Sequence, residues 1–288
     1  MKTQNTLKFI TALFLTGILF VSCQSDGDSI VSEEVIEEFS AVAVQAQADV
    51  DIATDDVSSI IDQTFDDEEY ANKLESHGPH RYLPDCATVT RVITSTTKDV
   101  TIDFGDGCEL KNGNTVSGII MMHYLIDKTA LTRTVEVTFD NFYSNDKKIE
   151  GSYSVFKERS NVNGNPQSTN TFNVTVTWAD DTFASKTGTK VRELIEGQDT
   201  PEWADNVFLI TGNWEFTGVD GVMHSGTITT PLRKELACRF IVSGVIALQK
   251  DDLSATLDFG DGTCNNLAEL TINGVTEVID LSVGKPIL

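Results

Sequence analysis

From Cys86 onward the chain alternates apolar and polar residues with period two, and no stretch in that region carries a helical repeat. Val100-Thr101-Ile102-Asp103-Phe104, Val135-Glu136-Val137-Thr138-Phe139 and Phe172-Asn173-Val174-Thr175-Val176-Thr177-Trp178 show the pattern most clearly. Successive side chains of a strand point to opposite faces, so each run specifies one buried face and one wet face. β-Branched and aromatic residues fill these runs. Turn-forming clusters separate them, at Asn112-Gly113-Asn114, Asn161 to Pro166, Asp220-Gly221 and Lys250-Asp251-Asp252. Connections this short leave no room for the crossover that parallel strands need. The expected fold is mainly β: an antiparallel up-and-down meander of about a dozen strands. It could be an open sheet, a sandwich or barrel-like.

Two finer patterns run through this region. Val116-Ser117-Gly118, Ile149-Glu150-Gly151, Ile210-Thr211-Gly212, Val242-Ser243-Gly244 and Ile272-Asn273-Gly274 recur at intervals of one or two hairpins, and each is expected to open a strand. Their glycines suit a bend, a bulge or close packing. A second pattern is a duplicated cysteine module. Cys86 runs to Cys108 through Asp103-Phe104-Gly105-Asp106-Gly107, and Cys238 runs to Cys264 through Asp258-Phe259-Gly260-Asp261-Gly262-Thr263. A strand, a turn around Thr97-Lys98 or Asp251, and a returning strand would bring each cysteine opposite its partner. Disulfides Cys86–Cys108 and Cys238–Cys264 are therefore expected, each worth roughly 3–4 kcal/mol. Zinc competes poorly, because no two of these cysteines have a metal-ligand spacing.

The repeated Asp-Phe-Gly-Asp-Gly reads first as a strand end turning on two glycines, with Asp106 and Asp261 satisfying nearby backbone N–H groups. A calcium site on Asp103, Asp106, Asp258 and Asp261 is the alternative, since carboxylates and backbone oxygens are suitable ligands. The Asp-Phe-Gly of kinases is rejected, because neither a Gly-rich loop nor a catalytic loop accompanies it. No other cofactor is implied.

Ahead of the β region the spacing is helical. Val31, Val35, Phe39 and Val42 form one stripe; Val57, Ile60, Ile61 and Phe65 form another. Two amphipathic helices are expected, the second capped by Asp55 or Asp56. Residues 66–85, with Pro79 and Pro84, read as a linker. Residues 24–75 hold 16 of the chain's 44 acids and a single base, Lys73. That balance repels phosphate backbones, which excludes nucleic acid as a partner.

Catalytic signatures are sparse. His77 and His80 fall in the linker, His123 follows an apolar strand run, and His224 lies near the Asp220-Gly221 turn; none belongs to a metalloprotease motif. With both disulfides formed and no Gly-x-Ser-x-Gly elbow, no nucleophile stands out. Trp178, Trp203 and Trp214 suit either a core or a sugar-stacking surface.

The N-terminus carries an address. Met1 and Lys2, Lys8, an apolar run from Phe9 to Val21 and then Ser22-Cys23 have the three parts of an export signal, with an apolar core too short to span a membrane. Phe20-Val21-Ser22-Cys23 resembles the lipobox of bacterial lipoproteins. That resemblance implies cleavage before Cys23 and a lipid (palmitate) anchor on it. Gln24-Ser25-Asp26-Gly27-Asp28 resembles the acidic tag that sends Bacteroidota lipoproteins to the outer face of the outer membrane, the periplasmic face being the alternative. The order of anchor, acidic arm and Cys…Asp-Phe-Gly-x-Gly-Cys module resembles a group of Bacteroidota surface lipoproteins of unknown function, which implies no activity. Gly212-Asn213-Trp214 resembles the Gly-x-Trp of lipocalin barrels, although it falls late in the chain.

The expected organisation is a lipoprotein signal peptide at 1–22, an acidic helical arm and linker at 23–85, and a disulfide-stapled β domain at 86–288. The expected function is non-catalytic: a binding or structural module for a glycan or an envelope protein. A carboxylate-dependent surface hydrolase and a ligand-holding lipocalin-like barrel are the alternatives.

Overall fold

The computed structural model describes residues 41–74 and 83–281, apart from 128–129, 199, 201–202 and 239. Cys23, expected to carry a lipid, the acidic stretch expected to act as a tag at 24–28, the stripe Val31, Val35 and Phe39, and His77 and His80 lie outside the described residues. Among the described residues one α-helix, α1 (Ala41–Leu74), is followed by fourteen strands. These are β1 (Thr88–Ile93), β2 (Thr97–Asp103), β3 (Cys108–Glu109), β4 (Thr115–Leu125), β5 (Thr132–Ser144), β6 (Lys147–Glu158) and β7 (Gln167–Thr177). There follow β8 (Phe183–Glu196), β9 (Val207–Thr217), β10 (Met223–Glu235), β11 (Ser243–Lys250), β12 (Leu253–Asp261), β13 (Leu267–Ile272) and β14 (Val275–Asp280).

All pairings are antiparallel, and apart from the two-residue β3, which pairs with β4, strand order in the sheet is chain order from β1 to β14. The meander expected from the period-two pattern is thus present as a single open sheet. β1 and β14 each pair with one neighbour, so among the described residues no lipocalin-like barrel closes. The connections follow turn chemistry. Asn145 and Asp146 between β5 and β6 both have positive φ, as do Asn273 and Gly274 between β13 and β14, the pair that a two-residue hairpin turn needs. Gly274 therefore makes a turn and does not open a strand.

α1 lies on one face of the sheet, the inner face. Val50, Ala53, Val57, Ile60, Ile61 and Phe65 fall on one side of it and are buried against Val100, Ile102, Tyr124, Val155, Phe172 and Val174. Each fully buried Val, Ile or Phe contributes about 1.5–3 kcal/mol. The Phe65 ring meets Tyr124 at 5.2 Å between centroids. The expected start of the helix that carries Val57, Ile60, Ile61 and Phe65 is corrected here. α1 runs unbroken through Asp55 and Asp56, which cap nothing, and it continues over 66–74, where a linker was expected. Its acids sit mid-helix because their partners are on the sheet.

Both expected disulfides are present, Cys86–Cys108 and Cys238–Cys264, with Cα atoms 5.9 Å apart in each. The cysteines are not opposed within a ladder, however. The β1–β2 ladder ends at Thr88↔Asp103 and the β11–β12 ladder at Ser243↔Asp261, so each bridge ties the chain beyond the open end of its hairpin. The first hairpin turns at 94–97, slightly before the expected position, with the Thr94 N–H donating to the Thr97 carbonyl.

Candidate functional site

The two Asp-Phe-Gly-Asp-Gly strings share one local hydrogen bond, although β2 ends at the first aspartate, Asp103, and β12 runs on to the second, Asp261. In each the first aspartate accepts a hydrogen bond from the glycine two residues on: Gly105 N–H to Asp103 and Gly260 N–H to Asp258, both 2.8 Å. Phe104 and Phe259 point into the core, each 2% exposed. The strand-end turn predicts the backbone bond at the second aspartate, Asp106 or Asp261. Asp261 does accept from the Thr263 N–H and hydroxyl, but in the first copy the bond belongs to Asp103 and not to Asp106. The two copies end β2 and β12, far apart in the strand order, so Asp103 and Asp106 do not converge with Asp258 and Asp261. Among the described residues, no group of three or more His, Cys, Asp or Glu is placed to hold a metal ion.

The histidines and tryptophans are scattered. His123 is exposed on the outer face with Nδ1 2.6 Å from Asp99. His224 is buried and stacked on Phe216; burial and the Lys250 charge push its pKa down. Trp178 donates its indole N–H to Asp49 of α1 at 3.1 Å. Trp214 is buried on the inner face beneath Lys186 and Lys190, whose ammonium groups lie 4.9 and 5.8 Å from its ring centroid. Its indole crosses Gly226, where a Cβ would come within 2.3 Å of the ring. Trp178 and Trp214 thus face α1, so they form no exposed stacking platform.

The densest chemistry is the seam between α1 and the inner face. Along the helix, Asp49 meets Lys147, Asp51 meets Lys186, Asp55 meets Lys190, and Asp62 meets Lys157 and Arg192. Glu68 meets Arg91 and Lys98. Among the described residues Asp56 meets no cation. It accepts instead from the Asn112 and Asn114 amides and the Ser144 hydroxyl, at 2.8–3.1 Å. Burial alone would raise the Asp62 carboxyl, but Lys157 and Arg192 outweigh it and hold it low. At Asp56 burial wins and the pKa rises in spite of three hydrogen-bonding partners. Lys186 is pushed down by burial against the pull of Asp51. Lys234, whose Nζ donates to the Cys238 carbonyl at 2.7 Å, is drawn down to about 8 by burial. Asn170 is 1% exposed, and among the described residues neither atom of its amide has a hydrogen-bond partner.

None of the pairs on α1 was readable from the sequence, since partners stand 23 to 135 residues apart. The Asn161–Pro166 loop was legible only as a turn. Its Asn161, Asn163 and Asn165 amides all donate to one oxygen of Glu193, at 2.9–3.0 Å, and hold that carboxyl low.

The outer face is different. Alternate residues of β6–β10 there are exposed or half-exposed and nothing described covers them. No helix among the described residues is long and apolar enough to cross a membrane. No protein-family model matches the sequence, and no curated protein or solved structure is similar to it.

Proposed function

We propose that the chain is a lipid-anchored outer-membrane lipoprotein, displayed at the cell surface, whose β domain is a non-catalytic binding or structural module. The supporting observation is how the two faces of the sheet are used. On the inner face the seam carboxylates are fastened to lysines, arginines or amides, which makes them parts of a helix clamp and leaves them poorly placed for proton transfer. The outer face is the broad surface left to present to a partner. The anchor rests on the sequence of residues 1–28, with its export signal, Cys23 and acidic tag.

Two measurements test this reading. Cells fed a fatty-acid analogue should label the wild-type protein and not Cys23→Ser; equal label on both refutes the anchor. Protease added to intact cells should remove the wild type, and Asp26→Ala with Asp28→Ala should protect it. Full protection of the wild type would place the domain on the periplasmic side.

A further inference from the structure

The registers of the sheet align one uncharged row across its outer face. Ser154 of β6 is opposite Thr171, Thr171 opposite Thr189, Thr189 opposite Asn213, and Asn213 opposite Thr227 of β10. The row continues through Ala247 and Thr256 to Thr271 and Thr276 on the last two strands. Nine consecutive strands thus contribute eight hydroxyl or amide side chains and one alanine, in a chain with 44 acids and 21 Lys and Arg. At about 4.8 Å per strand the row is about 38 Å long. Beside it, Ser152, Asn173 and Thr187 begin a second row. Apart from Thr271 and Thr276, whose hydroxyls bond each other at 2.8 Å, no side chain of the first row makes a hydrogen bond among the described residues. Their donors and acceptors face outward and are open to a partner.

The chemistry selects the occupant. A polyanion is repelled by a formal charge of −23. The exposed carboxylates of Glu136, Glu215, Asp258 and Glu269 stand at the end of the row or beside it and not in it, so a cationic partner would settle off the row. An apolar partner would bury eight polar groups without compensation. Sheet twist, roughly 20–25° between neighbouring strands, curves the row, so a rigid flat surface touches only part of it. A single flexible chain of sugars can follow it. Each hydroxyl both donates and accepts, and the strand spacing is close to the length of one sugar in an extended polysaccharide. Phe156, 40% exposed and two residues along β6 from Ser154, offers a ring for the apolar face of a sugar.

We propose that this row binds an extended, uncharged polysaccharide lying across the strands. The proposal deepens the binding-module reading and rests on it, but not on the lipid anchor. The test is affinity electrophoresis of the detergent-solubilised full chain through gels containing β-glucan, xylan, mannan or starch, with alginate as the anionic control. At least one neutral polymer should retard the protein, and alginate should not. Thr171→Val with Thr189→Val exchanges two hydroxyls for methyls on exposed strand positions. It should weaken retardation about tenfold with the melting temperature unchanged, and Phe156→Ala should weaken it as well. Four outcomes would each overturn the proposal: no retardation by any neutral polymer, retardation by alginate to the same extent, undiminished binding by the double variant, or a dimer in sedimentation that Thr189→Lys dissociates. The last would give the row to a second copy of the chain. Fatty-acid labelling reads the anchor separately, so a positive label with no retardation removes the row alone.

Discussion

Glu68 fastens the C-terminal half of α1 to the first hairpin, and removing it isolates a buried cation. One carboxylate oxygen takes the Arg91 guanidinium at 2.7 Å and the other takes Lys98 Nζ at 2.7 Å. Glu68 and Lys98 side chains are each 1% exposed, while Arg91 reaches water at 23%. Glu68→Leu leaves Lys98 charged, dry and without that carboxylate, a loss expected to cost about 3–5 kcal/mol. For a domain of this size that lowers the melting temperature by about 6–20 °C. Adding Lys98→Met removes the stranded charge and replaces the pair with apolar side chains of similar volume, so the double variant should recover most of the loss. The pH profile gives a second readout. Burial alone would raise the Glu68 carboxyl, but hydrogen bonds from Arg91 and Lys98 hold it below the usual range. A carboxyl held low in the fold stabilises above its unfolded pKa of about 4.3, and that stabilisation is lost as pH falls through the folded value. Thermal melts of wild type, both single variants and the double variant between pH 3 and 7 complete the cycle. A Glu68→Leu cost under about 1 kcal/mol, or a double variant no better than that single one, would refute a buried clamp.

Further outcomes follow from the same structure. Non-reducing peptide mapping should return Cys86 with Cys108 and Cys238 with Cys264, and Cys238→Ser with Cys264→Ser should cost roughly 3–4 kcal/mol in a denaturant melt while leaving a folded protein. Asp56→Ala strands the Asn112, Asn114 and Ser144 donors and should cost about 1–3 kcal/mol, whereas Asp56→Asn, which keeps an acceptor, should cost less. Gly226→Ala drives a methyl into Trp214 and should destabilise by about 1–3 kcal/mol or more, with a shift in tryptophan emission.

The strands were legible in the sequence because alternation is written residue by residue, so Val135–Phe139 and Phe172–Thr177 announce their faces locally. The cysteine pairs were legible because the module is duplicated, although the ladders end short of the cysteines. Val57, Ile60, Ile61 and Phe65 marked the core side of α1. Asp55 and Asp56 misled because an acid before an apolar stripe is what an N-cap looks like, and nothing nearby shows that Lys190, Asn112 and Asn114 receive them. The uncharged row was hidden for a related reason. Thr171, Thr189 and Asn213 come into line only through register, and a strand read alone does not say which residue faces which.

Strand order that equals chain order also sets a sequence of events. Each hairpin from β4 onward can zip onto the strand made just before it, with short loops and little closure entropy to overcome. The helix obeys another clock. α1 is made before any strand, yet Asp62 must wait for Lys157 and Arg192, and Asp51 for Lys186, more than ninety residues later. Its docking is the one long-range step in an otherwise local assembly. Until β8 is in place, α1 can meet the first hairpin through Glu68 and the turn before β4 through Asp56, but Asp51, Asp55 and Asp62 still lack their β8 cations.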